Sequence, residues 1–282
     1  MPELPEVETV RRTLAPHVIG ATVARTRLVR RDVCESWTCS PKGLRRSGAT
    51  AVGFLEGAHI AAIHRHGKHL AIIAEDGRAL GVHLGMTGSL GWASSLPAVL
   101  KHVHAWWELG DAGFMYFEDA RRFGGLQSYP SFADLKQHRW RELGTDAMSV
   151  NAGELFEGLQ ATRRSIKAAL LDQGVLAGLG NIYVDESLFA AGIHPLRAAC
   201  EVPCDRVVRL TKVILEVLNS ALAKGGSTLR DYRDADGKRG TFQSLHAVYG
   251  RAGQACIRCG SPLQSQRISQ RMSVWCPTCQ PI

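Results

Sequence analysis

The pair Cys256-x2-Cys259 and Cys276-x2-Cys279, separated by sixteen residues, constrains this chain more than any other feature. Two thiolate pairs at this spacing match a four-cysteine zinc site. Such a site is structural, because four thiolates close the coordination shell and leave no position for water. Residues 251–282 carry Arg251, Arg258, Arg267 and Arg271 and no acidic residue. Four thiolates around Zn²⁺ contribute −2, so the finger nets about +2. The hairpin between the cysteine pairs is expected to present Arg267 and Arg271, either as a solvated basic face or as contacts to a polyanion. Cys34, Cys39, Cys200 and Cys204 are scattered and read as ordinary reduced thiols.

The 282 residues leave room for more than one domain, each burying its own core. A net charge of +8 and a pI near 9.2 favour a polyanionic partner, most simply nucleic acid. No stretch is apolar and long enough to span a bilayer, and no apolar signal segment opens the chain. The expectation is a cytoplasmic, nucleoid-associated protein with no membrane partner.

The first eight residues are Met1-Pro2-Glu3-Leu4-Pro5-Glu6-Val7-Glu8. Loss of Met1 leaves Pro2 as the N-terminus, a secondary amine beside two carboxylates. An α-amino group titrates near 8 against about 10.4 for lysine, so far more of it is neutral and nucleophilic at pH 7. Attack of a secondary amine on a sugar C1′ gives an iminium that keeps its charge without a proton and acidifies the C2′–H. That chemistry suits base excision followed by strand cleavage. The same residues also make a good helix start, with proline in the first turn and acids at the positive end. Val7, Val10 and Leu14 continue as an apolar stripe. The two readings are compatible, since the helix fixes Glu3 and Glu6 near the amine.

Strands are expected at 21–29, 59–66, 68–75 and 79–84, with a hairpin over 106–117 turning at Gly110-Asp111-Ala112-Gly113. Short strands joined by glycine turns favour an antiparallel sandwich. Two glycine-bounded turns in this half carry Met86 and the run Asp119-Ala120-Arg121-Arg122-Phe123-Gly124-Gly125. An apolar residue on a basic loop suits a wedge that fills a gap in a base stack, although Met86 also reads as core. Beyond Pro130 the periodicity becomes helical, with Asn181 placed as an N-cap and a long amphipathic helix over 203–224 ending at Gly225-Gly226. Residues 227–241 are polar and aperiodic, as a functional loop is.

With these pieces placed, the chain resembles the formamidopyrimidine-DNA glycosylases, relatives of endonuclease VIII. The landmarks are the N-terminal octapeptide, His83-Leu84-Gly85-Met86-Thr87-Gly88-Ser89-Leu90, Arg121-Arg122-Phe123-Gly124, Gly180-Asn181-Ile182-Tyr183 and the zinc hairpin with Gln270-Arg271. The resemblance implies an α+β multidomain fold: an N-terminal antiparallel β-sandwich (1–130), a helix-two-turn-helix domain (131–244) that includes the lesion loop, and a four-cysteine zinc finger (245–282). It implies a monomeric bifunctional glycosylase/lyase that removes oxidised purines from double-stranded DNA and holds one structural zinc. Pro2 forms the Schiff base, Glu3 is the acid that opens the sugar, and Glu6 supports the N-terminal network. Lys68 is the proton donor of β-elimination and Arg271 the arginine of δ-elimination. Met86, Arg121 and Phe123 fill the gap left by the flipped nucleotide. His102, Arg121, Asn181 and Arg271 grip phosphates, with Arg163 a further candidate. Cys256, Cys259, Cys276 and Cys279 are the metal ligands. The chain departs from the usual Asp-Pro-Arg-Arg-Phe pattern at Ala120, and the hairpin between Lys68 and Met86 is one residue longer than usual. Two alternatives remain open at this point: an endonuclease VIII-type glycosylase for oxidised pyrimidines, and a non-catalytic lesion-DNA binding protein.

Overall fold

A computed structural model describes residues 2–41, 43–96 and 101–282. The chain forms two units. The first runs to Arg141 and takes in Gly225–Thr241; the second comprises Glu142–Lys224 and Phe242–Ile282.

In the first unit, helix α1 (Leu4–Val18) is followed by β1 (Arg25–Leu28), β2 (Cys34–Ser40), β3 (Gly43–Ser47), β4 (Ile60–His66) and β5 (His69–Ala74). Then come β6 (Ala79–His83), β7 (Gly88–Ala93), β8 (Val103–Glu108), β9 (Phe114–Asp119), β10 (Gly125–Tyr129) and a one-turn helix α2 (Phe132–Leu135). Strands in the order β1-β8-β9-β7 form one sheet and β3-β2-β10-β6-β5-β4 the other. The pairing is antiparallel except for β2 and β10, which run parallel with Cys34 opposite Leu126. A parallel pair needs a long crossover, and the whole of β3 to β9 lies between them. Leu70, Ile72, Leu80, Val82, Leu90, Trp107, Met115, Phe117 and Leu126 fill the core together with Val7, Val10 and Leu14 of α1. Strands β5 and β6 lack clean alternation because their other face is also covered: Ala71, Ala79 and Tyr129 pack with Leu135 of α2.

The second unit holds α3 (Ala152–Gln160), α4 (Ile166–Leu171), α5 (Asn181–Ala191) and α6 (Cys204–Ala223). A two-residue parallel pair joins β11 (Thr145–Asp146) to β12 (Leu176–Ala177), and the hairpin β13 (Gln264–Ile268) and β14 (Arg271–Trp275) lies near the C-terminus. Two turns separate α4 from α5, giving the helix-two-turn-helix. α5 is buried on nearly every face, packed on α6 and β14, so it shows no amphipathic stripe. α6 has Pro203 as N-cap and stops before Gly225 and Gly226, whose φ values are +69° and +82°.

Two boundaries differ from the sequence expectation. The loop 225–241, assigned to the helical domain, packs with the sandwich unit, as do residues 131–141. The zinc finger packs with the helices, where Phe189 shares an apolar cluster with Val248, Leu263 and Val274. Among the described residues no helix is long and apolar enough to cross a membrane.

Candidate active site and metal centre

Pro2 is buried at the threshold of α1. Glu3 is the N-cap and forms a capping box with Glu6, whose Oε2 accepts from the Glu3 backbone N–H at 2.8 Å. Glu3 and Glu6 are 3% and 1% exposed, so two carboxylates are held in low dielectric beside Pro2. Glu6 also reaches into the 225–241 segment: its Oε1 accepts from Ser227 N–H at 2.7 Å. A Cβ at Gly226 would fall 2.7 Å from that same oxygen, at φ +82°, so only glycine fits. Tyr232 closes the contact by donating its hydroxyl to the Glu6 carbonyl at 3.2 Å.

Lys68 lies in the tight turn between β4 and β5 and is 7% exposed. The turn is tied to α1 through Arg65, which bonds Glu8 Oε2 at 3.0 Å and the Gly67 carbonyl at 3.0 Å. Glu8 accepts as well from Arg11 and Arg12, each at 2.7 Å. Burial alone would raise the Glu8 carboxyl, but the three guanidinium groups outweigh it and hold the pKa at about 2. The helix bearing Pro2, Glu3 and Glu6 and the hairpin bearing Lys68 therefore share one ionic tie.

The turns carrying Met86 and Phe123 come together. A Cβ at Gly85 would lie 2.4 Å from the Gly124 nitrogen, and both Gly85 (φ +60°) and Arg122 (φ +57°) adopt left-handed backbone. Asp119, fully buried, organises the pair. Its carboxylate accepts from Thr87 Oγ1 at 2.5 Å, Arg121 N–H at 3.1 Å and Gly124 N–H at 2.7 Å. Met86 and Phe123 are left 38% and 55% exposed, large apolar side chains on a polar rim. The Arg121 guanidinium lies 4.8 Å from the Phe123 ring centre. His102 is exposed, and its carbonyl accepts from Asp119 N–H at 2.9 Å, which places it next to this loop. Met86 thus presents to solvent and is not core.

In the second unit, Asn181 is the first residue of α5 and Gly180 the N-cap, contrary to the sequence expectation. The Asn181 amide instead donates to the Met272 carbonyl at 2.9 Å, fastening the helix start to the zinc hairpin. Arg271 is exposed and opens β14 after a two-residue turn in which Ser269 and Gln270 have φ of +48° and +60°. Two positive φ values are the signature of a tight hairpin turn matched to strand twist. Arg163 is exposed, while its neighbour Arg164 pairs with Asp172 at 2.9 Å.

The four finger sulfurs lie within 4.8 Å of one another, with Cys256 to Cys279 at 3.9 Å and Cys259 to Cys276 at 3.4 Å. Tetrahedral zinc with bonds of about 2.3 Å sets sulfurs about 3.8 Å apart, so the donor set and its size fit the ion.

Comparison with known proteins converges on one family. The formamidopyrimidine-DNA glycosylase N-terminal domain model matches residues 1–126, the H2TH domain model residues 143–233, and the zinc finger found in FPG and IleRS residues 253–282. The formamidopyrimidine-DNA glycosylase of Thermomicrobium roseum is 40% identical over 305 residues, a match covering 100% of both chains. The chain belongs to the formamidopyrimidine-DNA glycosylase family. Lactococcus lactis Fpg, solved in complex with DNA containing an abasic site, is 31% identical with a TM-score of 0.87 over 100% of both chains. MutM in complex with DNA containing carbocyclic 8-oxo-G is 31% identical with a TM-score of 0.86, again over 100% of both. The four-cysteine cluster accordingly holds one structural zinc.

For an Fpg-type DNA glycosylase, three supporting groups escape a reading of sequence alone. Asp119 reads as one more loop acid, yet it orders both the Met86 and the Phe123 turns. Arg65 and Glu8 read as surface charges, and both are about nine-tenths buried. Lys167 and Asp185 form a salt bridge of 2.6 Å with both side chains almost wholly buried. Lys167 also donates to the Met272 carbonyl at 3.4 Å, and Asp185 Oδ2 accepts from Val274 N–H at 3.1 Å, so the pair supports the strand that carries Arg271. The one available signal for Lys167 was its place between Ile166 and Ala168 in an otherwise apolar helix.

Proposed function

We propose that this enzyme is a bifunctional DNA glycosylase and abasic-site lyase that excises oxidised purines, 8-oxoguanine and formamidopyrimidines, from duplex DNA. The observation that carries the reading is Pro2 at the head of α1, buried against the Glu3–Glu6 capping box. The Pro2 nitrogen attacks C1′, the glycosidic bond breaks, and the damaged base leaves with a proton. Glu3 protonates the ring oxygen as the sugar opens, which yields the iminium. The positive nitrogen acidifies the C2′ proton, whose loss expels the 3′ phosphate in β-elimination, with Lys68 as the proton donor. A second elimination expels the 5′ phosphate, and Arg271 serves that step. Glu6 keeps the amine and Glu3 in register. Met86, Arg121 and Phe123 fill the space vacated by the flipped nucleotide. His102, Arg121, Asn181, Arg271 and Arg163 hold phosphates.

The purine preference rests on the 225–241 segment. Oxidation of guanine turns N7 from an acceptor into a donor, which a backbone carbonyl of a closing loop can recognise. Ser227 and Tyr232 of that segment bond Glu6, so base contacts and chemistry share a frame. The relatives solved with lesion-containing DNA support the same substrate class. The boundaries 1–130, 131–244 and 245–282 describe sequence modules of this enzyme, and its substrate places it at the nucleoid in the cytoplasm.

Borohydride reduction during turnover on DNA containing 8-oxoguanine traps an adduct on Pro2. An extra residue before Pro2 abolishes it, because the amine is then an amide. An adduct on a lysine refutes the nucleophile. Stronger trapping on oxidised pyrimidines supports the endonuclease VIII-type alternative, and binding without any adduct a non-catalytic role.

A further inference from the structure

The 225–241 segment is fastened at a second place, by the other end of α1 and by β7. The His17 ring, in the last turn of α1, stacks on Trp92 of β7 with centres 3.9 Å apart and planes at 6°. Its Nε2 lies 2.9 Å from Asp236 Oδ1, and Lys238 Nζ lies 3.8 Å from the other carboxylate oxygen. Trp92 is itself held, its indole N–H donating to the Ala112 carbonyl at 2.7 Å and its backbone N–H to the Ala235 carbonyl at 3.0 Å. Ala235 is 1% exposed within the sandwich core, and its N–H donates to Thr13 Oγ1 at 3.1 Å. The Asp234 carboxylate curls the chain here by accepting from Asp236 N–H at 3.1 Å and Lys238 N–H at 2.8 Å. Leu229, Arg230 and Asp231 form an arc between the two Glu6 contacts, Ser227 and Tyr232, and stay exposed, with Leu229 at 49%; the second fastening begins just beyond Tyr232.

We infer that His17, Trp92 and Asp236 form a latch that sets the position of the exposed 229–231 arc, and that they are positioning residues for recognition of the damaged base. The assignment to base recognition rests on the proposed function above. Tyr232 ends the arc with a 3.2 Å bond to Glu6, and fastening the chain just beyond it removes freedom that the arc would otherwise lose on closing over a base. The His17–Asp236 contact is partly solvated and modest by itself, and the aromatic stack on Trp92 fixes the His17 ring that makes it. Together they predict an effect of about three- to tenfold rather than an abolished activity.

The test uses the full-length zinc-loaded enzyme with Asp236→Ala, His17→Ala, the double variant and Asp236→Asn, which keeps an acceptor for His17. Amide exchange without DNA should speed up across 228–238 in both alanine variants, stay near wild type in Asp236→Asn, and remain unchanged in β5 and β6. The ratio of kcat/KM for 8-oxoguanine excision to that for abasic-site cleavage should fall three- to tenfold in each alanine variant, with no further fall in the double variant. Unchanged exchange over 228–238 overturns the latch. So does a parallel fall of both activities, which marks a purely structural contact. Wild-type enzyme that leaves 8-oxoguanine untouched counts against the proposed function, whereas the latch still stands or falls on the exchange pattern.

Discussion

Replacing Lys167 by methionine keeps the length of the side chain and removes its charge, leaving Asp185 without its main partner inside the second unit. Both side chains are almost fully buried, at 0% and 1%, so water cannot replace the ammonium. If the carboxylate stays ionised, breaking a buried pair costs about 3–5 kcal/mol. If it takes up a proton, moving a group with an ordinary pKa near 3.9 to the neutral form at pH 7 costs about 4 kcal/mol. The two routes agree, and a loss of about 3–4 kcal/mol lowers the melting temperature by about 10 °C. Burial already pushes the Asp185 carboxyl upward, and Lys167 pulls the other way. In the variant the folded-state pKa rises further above the unfolded value, so the folded protein binds more protons. Stability of Lys167→Met therefore increases as pH falls from about 7.5 to 5.5, more steeply than in wild type. Urea titrations across that range measure both quantities. Adding Asp185→Leu should recover most of the loss, since an apolar pair replaces a buried ionic one. A cost below about 1 kcal/mol, or a pH slope equal to that of wild type, refutes the reasoning.

Four further outcomes follow from the geometry. Cys276→Ser loses zinc, disorders the finger and weakens DNA binding while the sandwich stays folded, as metal analysis and amide exchange will show. DNA affinity falls with salt, with a log–log slope of about −4 to −5 if about five phosphates are neutralised, and Arg121→Ala reduces that slope by about one. Asp119→Ala strands the Gly124 N–H at about 1–3 kcal/mol, leaves the Arg121 N–H only Thr87 Oγ1, and loosens the Met86 and Phe123 turns, so lesion-DNA affinity drops, as read by fluorescence anisotropy. Glu8→Gln lowers the melting temperature at neutral pH; because the wild-type carboxyl is held at about 2, its contribution is present above about pH 4.5 and lost as pH falls through 2, where the two melting curves converge.

Shortening the 230–239 segment is not a clean test of base recognition. The structure argues against it, because Ala235 belongs to the sandwich core and Tyr232 packs against it. Such a deletion would damage the fold along with the loop, and point changes at the latch separate the two effects.

The sequence by itself determined whatever depends on local spacing and side-chain chemistry. Cysteine pairs three apart fix a zinc hairpin, prolines and acids at the head of an apolar stripe fix α1, and glycine turns between β-rich runs fix most of β4 to β9. Pro2, Glu3 and Lys68 stand out in the sequence for the same reason, since each lies within a short motif. Strands β2 and β3 were not, because their residues (CESWTCS and GLRRS) carry little periodicity and pair only through β10 and each other. What only the tertiary structure decided are pairings between residues far apart in the chain: Glu6 with Ser227, Glu8 with Arg65, Lys167 with Asp185, and His17 with Asp236. A charged residue reads alike in sequence whether solvated or buried, and only the packing that excludes water around it turns it into a structural tie.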